Sequence, residues 1–114
     1  MVDNWREKRV FPRIAIKTPI SCQIRGSKES NNTLSTDLSE NGISFNSDRF
    51  VAPNTCINLE FNLLSRQIVT KSQIVRSNYL PRSNKYKLGV RFLKVEHNQQ
   101  KYLSDFIQMK LNRI

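Results

Sequence analysis

Two short segments of this chain concentrate groups that can recognise a phosphorylated purine. The first is Arg9-Val10-Phe11-Pro12-Arg13. Pro12 fixes its own φ and biases Phe11 toward extended backbone, so Arg9 and Arg13 are carried on a stiffened segment and not on a helix. A planar guanidinium bridges two acceptors at once, either two phosphate oxygens or the O6 and N7 of guanine. Two such groups close together suit both parts of a guanine nucleotide. Taken alone, the segment reads equally as an exposed basic entry to a strand.

The second segment is Asp37-Leu38-Ser39-Glu40-Asn41-Gly42. An ionised Asp accepts hydrogen bonds and donates none, so Asp37 complements the N1–H and N2–H₂ donors on the Watson–Crick edge of guanine. Ser39 can donate or accept beside it. Gly42 permits a positive φ or a close backbone approach to a ligand. The alternative is an ordinary hairpin turn in which Asp37 and Ser39 bond their own backbone.

Catalytic constellations are not visible. His97 is the one histidine and falls at the start of a helical pattern, where an exposed first-turn residue is expected. No nucleophile–base arrangement, paired-carboxylate signature, phosphate-cradling glycine loop or metal-spaced cluster stands out, so an enzyme is not expected. Cys22 and Cys56 lie in apolar, strand-like runs and read as buried free thiols.

These residues need a scaffold. From Ile14, the even positions Ile16, Ile20, Cys22 and Ile24 are apolar against mostly polar odd ones, the alternation of a half-buried strand. The pattern recurs at Ile43 and Phe45, at Ile57, Leu59, Phe61 and Leu63, and at Tyr86, Leu88, Val90 and Phe92. Residues 67–78 form a further strand candidate, rich in β-branched side chains but with less cleanly separated faces. Turn-forming clusters lie at 26–32, 39–42, 53–54 and 81–84. After Val95 the period changes: Tyr102, Leu103, Phe106, Ile107, Leu111 and Ile114 recur at three- and four-residue spacing, predicting an amphipathic helix over about 98–112. Several antiparallel strands and one helix suggest a small β-barrel, because closure removes exposed edges.

The 114 residues fit a single domain spanning 1–114, with residues 1–8 expected to form a flexible N-terminal arm. The arm is polar and carries no apolar segment, which is the pattern of a cytoplasmic protein with no transmembrane segment. With 19 Lys+Arg against 9 Asp+Glu the net charge is +10, so phosphates, nucleic acid or anionic membrane are all conceivable partners.

The two segments together narrow the choice. Arg9 and Arg13 before the first strand, followed after one strand and a loop by Asp37, Ser39 and Gly42, closely resemble the PilZ domain family, marked by RxxxR and a downstream [D/N]xSxxG. Pro12 and the glycine-containing stretch Tyr86-Lys87-Leu88-Gly89-Val90-Arg91-Phe92 add to the likeness, which runs from about Lys8 to the C-terminus. The resemblance implies a mainly β fold, a six-stranded antiparallel barrel with a C-terminal amphipathic helix. It also implies binding of the bacterial second messenger cyclic di-GMP at the barrel's edge, without any other cofactor. Arg9 and Arg13 would contact phosphate and the guanine Hoogsteen edge, Asp37 and Ser39 a guanine, and Gly42 would permit the turn. Lys8, Trp5 and Asn41 are additional candidate contacts. Lys8 stands where many members carry Arg, which keeps the charge but loses the bidentate fork.

The leading expectation is therefore a receptor or adaptor that changes conformation on binding cyclic di-GMP and signals to a partner protein. Two alternatives stay open: a small basic barrel that binds RNA or DNA, and a PilZ-like interaction module that no longer binds ligand. Asp37 argues against nucleic acid, because it opposes a phosphate backbone.

Overall fold

The computed structural model describes residues 11–28 and 30–112. Arg9, Lys8, Trp5 and the arm expected over 1–8 lie outside the described residues, as does Ile114 at the end of the helical stripe.

The alternating segments form seven strands: β1 (Ile14–Ala15), β2 (Pro19–Ile24), β3 (Ser30–Leu38), β4 (Gly42–Ser47), β5 (Cys56–Leu63), β6 (Arg66–Leu80) and β7 (Lys85–Val95), followed by α1 (His97–Leu111). They pair in the order β1-β3-β2-β5-β6-β7-β4, and an additional β3–β4 pairing closes the sheet. Strands β2 to β7 thus make the expected six-stranded antiparallel barrel, and β1 extends β2 along β3.

One strand expected from Ile14 to Ile24 is broken in two. Pro19 has no N–H to give the ladder, and the interruption is repaired by a side chain: the Ser35 hydroxyl accepts from the Thr18 N–H and donates to the Ile16 carbonyl. Thr18 turns inward, 6% exposed, and donates to the Asn62 carbonyl. The Thr18 N–H, the Thr18 hydroxyl and the Ile16 carbonyl at the break therefore each keep a partner.

Inward-facing residues fill the barrel. Phe45, Phe61, Ile20, Leu38, Ile57, Leu59, Ile68, Ile74 and Leu88 are each at most 2% exposed. Thr70 and Ser72 also face inward and hydrogen-bond each other at 2.6 Å. Leu103, Phe106 and Ile107 bury the apolar stripe of α1 as the periodicity predicts, whereas Leu111 is 41% exposed because it lies at the helix end. The helix packs against the barrel end where β5 turns into β6. There the Tyr102 hydroxyl donates to the Leu63 carbonyl at 2.8 Å, and Arg66 lies over the Tyr102 ring, 4.7 Å from its centroid.

Two β-bulges decide which side chains face outward near the motif. The β3–β4 register shifts between Ser35 and Asp37, leaving Thr36 as the extra residue. The β6–β7 register shifts between Ile74 and Arg76, leaving Val75 as the extra residue. An inserted residue inverts the alternation beyond it. Ser35 and Ile74 point inward, so Asp37 and Arg76, two positions on, would also point inward in regular strands. With the bulges they point out. The second bulge also accounts for the blurred faces of residues 67–78.

Candidate functional site

Register partners place five residues in one row across the outer wall: Ala15, Asp37, Ser44, Gly89 and Arg76, on β1, β3, β4, β7 and β6. Asp37 and Arg76 are three strands apart, about 14 Å at the usual strand spacing. Between them stand only Ser44 and Gly89, so the wall dips. The dip is a cleft of about 300 Å³ lined by Arg13, Asp37, Ser44, Arg76, Asn78, Lys87 and Gly89.

Gly89 is needed for close approach. A Cβ there would lie 3.1 Å from Arg76 Nε and 3.3 Å from its Cγ, so the Arg76 side chain lies directly over the glycine. Lys87 projects outward in the adjacent row, opposite Asn78. At the other wall Arg13 Nη1 donates to Asp37 Oδ1 at 2.6 Å, and Lys87 Nζ stands 3.9 Å from Asp37 Oδ2. The pair is part-exposed, with side-chain exposures of 45% and 24%. A carboxylate has acceptor capacity beyond one such bond, so Oδ2 can still receive a donor from a ligand.

The sequence-predicted residues divide into two groups. Arg13 and Asp37 meet in the cleft. Ser39, Asn41 and Gly42 form the adjoining β3–β4 turn and are not among the residues that line it. Ser39 is fully buried; its hydroxyl donates to Asn41 Oδ1 at 2.6 Å, and its backbone N–H donates to the Gly42 carbonyl at 2.8 Å. The self-bonded turn therefore holds for Ser39, while Asp37 reaches across to Arg13. Gly42 has no positive φ; a Cβ there would fall 2.3 Å from the Val90 carbonyl oxygen, so the glycine lets β4 approach β7.

Sequence reasoning missed Arg76, Asn78 and Lys87 as site residues. Lys87 and Gly89 were traceable, since they alternate with the inward Tyr86, Leu88 and Val90. Arg76 was not, because its outward direction depends on the bulge at Val75.

The remaining titratable groups lie elsewhere. His97 is exposed at the start of α1. Cys22 and Cys56 are free; Cys22 is buried but Cys56 only half-buried, since it begins its strand. Burial pushes the Cys22 thiol up to about 11. Among the described residues no group of three or more His, Cys, Asp or Glu is placed to hold a metal, and no helix is long and apolar enough to cross a membrane.

The model of the PilZ domain matches residues 7–109, which include both motif segments. The chain belongs to the PilZ domain family. It is a family of cyclic di-GMP receptors. Solved structures share the fold. The inhibitor of motility MotI/DgrA from Bacillus subtilis superposes with a TM-score of 0.81 at 24% identity, over 92% of this chain and 52% of that one. The cyclic di-GMP-bound PilZ domain of YcgR from Escherichia coli gives 0.66 at 16% identity, over 93% of this chain and 92% of that one. PlzA from Borreliella burgdorferi, in complex with cyclic di-GMP, gives 0.61 at 16% identity, over 90% and 42%. The chain thus spans about half of MotI and less than half of PlzA. No curated protein sequence matches it.

Proposed function

We propose that this PilZ domain is a cyclic di-GMP receptor that signals to a partner protein and has no catalytic role. The observation that carries the reading is the Asp37-to-Arg76 row. An acceptor stands at one side of a wall cleft, cations at both, and two small residues lie between them. A cyclic dinucleotide has two guanines and two phosphates to distribute over such a span. Asp37 takes the N1–H and N2–H₂ of one guanine through the carboxylate oxygen that Arg13 leaves open. Arg13, already oriented by Asp37, turns its remaining donors to phosphate or to the guanine Hoogsteen edge. Arg9 supplies the second guanidinium of the motif, with Lys8 and Trp5 as further contacts. Ser39, Asn41 and Gly42 serve mainly by holding the turn that sets Asp37.

Binding transmits a signal only if the ligand prefers one arrangement of the chain over another. Drawing the basic segment ahead of Arg13 onto the wall is such a change, since it gathers positive charge around two phosphates.

The test is competitive titration with cyclic di-GMP, linear di-GMP and GMP. The cyclic ligand should bind most tightly, because it alone presents both guanines and both phosphates in one closed frame. Equal binding of all three would reduce the site to a general phosphate patch. Salt should weaken binding less steeply than for a nucleic-acid binder, because few charges are neutralised.

A further inference from the structure

The hairpin of β6 and β7 carries a charge pattern that reaches beyond the cleft. Residues 61–95 contain eight Lys or Arg and no Asp or Glu. Five of these cations stand on the outer wall: Lys71 and Arg76 on β6, and Lys87, Arg91 and Lys94 on β7. Register sets them in four successive rows, Lys71 with Lys94, Gln73 with Arg91, Arg76 with Gly89 and Asn78 with Lys87, which span about 20 Å at the usual rise per residue. Lys71, Arg76, Arg91 and Lys94 have no acidic partner among the described residues. Lys71 and Lys94 are direct cross-strand partners, and like charges so placed are destabilising. The fold gains nothing from that pairing.

The nearest acids lie at the margins of the wall. Glu60 is on β5 opposite Val69, and Glu96 accepts from the Asn98 N–H as the cap of α1. Glu40 is half-buried in the β3–β4 turn, while Asp37 and Asp48 are bound to Arg13 and Lys85. Glu29, between β2 and β3 in sequence, belongs to a hairpin that β5 and β4 separate from this one. The sequence ahead of Phe11 has three cations against two acids and so adds no net negative charge.

Aliphatic side chains stand among the cations. Val69, Val75 and Leu93 are 45%, 45% and 50% exposed. Val75 and Leu93 are each the extra residue of a β-bulge, where the β6–β7 register shifts at Ile74/Arg76 and at Lys71/Ser72. We propose that this wall docks on an anionic lipid bilayer, the cations meeting phosphate headgroups while Leu93 and Val75 enter the boundary beneath them. Basic and apolar side chains on one face are the combination that holds a protein at such a surface. Single-stranded nucleic acid would use the same cations but gains much of its affinity by stacking on rings, and the side chains interleaved here are aliphatic. An extended acidic peptide is a line, whereas the cations cover two strands and four rows. The wall shares Arg76 and Lys87 with the cleft, yet its docking needs no nucleotide.

The test is co-sedimentation of the full chain, without nucleotide, with vesicles of phosphatidylcholine alone or with about one-third phosphatidylglycerol. The protein should sediment with the anionic vesicles only, and less so as salt rises from about 0.1 to 1 M, because the Debye length shrinks from about 10 to 3 Å. Lys71→Glu with Lys94→Glu, two exposed positions outside the cleft, should weaken binding at least about tenfold, since each cation near such a surface contributes about fivefold. Lys17→Glu with Lys28→Glu makes the same change in net charge away from the hairpin and should weaken it far less. Leu93→Ser should also weaken vesicle binding, with circular dichroism confirming the fold of every variant. The proposal is overturned by absence of binding to anionic vesicles, by equal losses in the two double variants, or by unchanged affinity in Leu93→Ser. Failure to bind vesicles together with duplex DNA binding that the Lys71→Glu, Lys94→Glu protein loses would assign the wall to nucleic acid instead. Because no nucleotide is present and the varied residues lie outside the cleft, failure here leaves the receptor reading intact, and failure to bind cyclic di-GMP leaves this surface intact.

Discussion

Arg13 and Asp37, 24 residues apart, meet on the outer wall of the barrel as a 2.6 Å ion pair. The pair is exposed enough that its contribution to folding is small, about 0.2–1 kcal/mol. Its consequence lies in orientation. The acid that should read guanine holds in place the arginine that should read phosphate or guanine, so part of the ordering cost of binding is met before the ligand arrives.

The far wall of the cleft should matter as much as the motif. Arg76→Ala removes charge-assisted hydrogen bonds worth about 1.5–3 kcal/mol, so cyclic di-GMP affinity should fall by about tenfold to a hundredfold. Calorimetry on the variant, with circular dichroism to confirm folding, checks this. Undiminished affinity would confine the ligand to the Arg13–Asp37 side.

The two wall-facing glycines should fail in different ways. In Gly42→Ala the new methyl meets backbone, 2.3 Å from the Val90 carbonyl oxygen. That overpacking should cost about 1–3 kcal/mol or more and lower Tm by roughly 5–15 °C. In Gly89→Ala the methyl meets the Arg76 side chain, which can swing aside, so Tm should change by only about a few degrees while the cleft loses depth and ligand affinity drops. Thermal melts of both variants, with and without cyclic di-GMP, separate the two.

The cysteines should differ in reactivity. Burial raises the Cys22 thiol from 9.0 to about 11, and the thiolate is the reactive form. Iodoacetamide at pH 8 should therefore label Cys56 first, as peptide mass mapping would report. The same shift has a signed effect on stability. The native state favours the protonated thiol, so the stabilisation is fully present below pH 9 and is lost as pH rises through about 11. Cys22→Ala should flatten that part of the stability profile measured by urea unfolding.

Much of the fold was legible in alternation. Even positions from Ile14, the pair Ile43 and Phe45, and the runs at 57–63 and 86–92 all face the core as their period implied, and the 3.6-residue stripe of α1 buries Leu103, Phe106 and Ile107. Breaks in alternation were harder to read. The break at Pro19 is tolerated because Ser35 and Asn62 take up the polar groups of the neighbouring Thr18, and those partners are distant in sequence. The site was half legible for the same reason. Arg13 and Asp37 belong to a recognisable spacing, but Arg76 reaches the cleft through a bulge that becomes apparent only once β6 and β7 are paired. Gly42 was marked for a positive φ or for close approach to a ligand; its φ is not positive, and the close approach that the structure shows is to the Val90 carbonyl oxygen.

The most direct test compares calorimetric titrations of cyclic di-GMP into the native protein and into Asp37→Ala. The native protein should give saturable heat, and the variant should bind about tenfold or more weakly although its net positive charge has risen. Attraction by charge alone would act in the opposite direction. Absence of heat from the native protein at large ligand excess, or tighter binding by a folded Asp37→Ala variant, would contradict guanine recognition at this cleft.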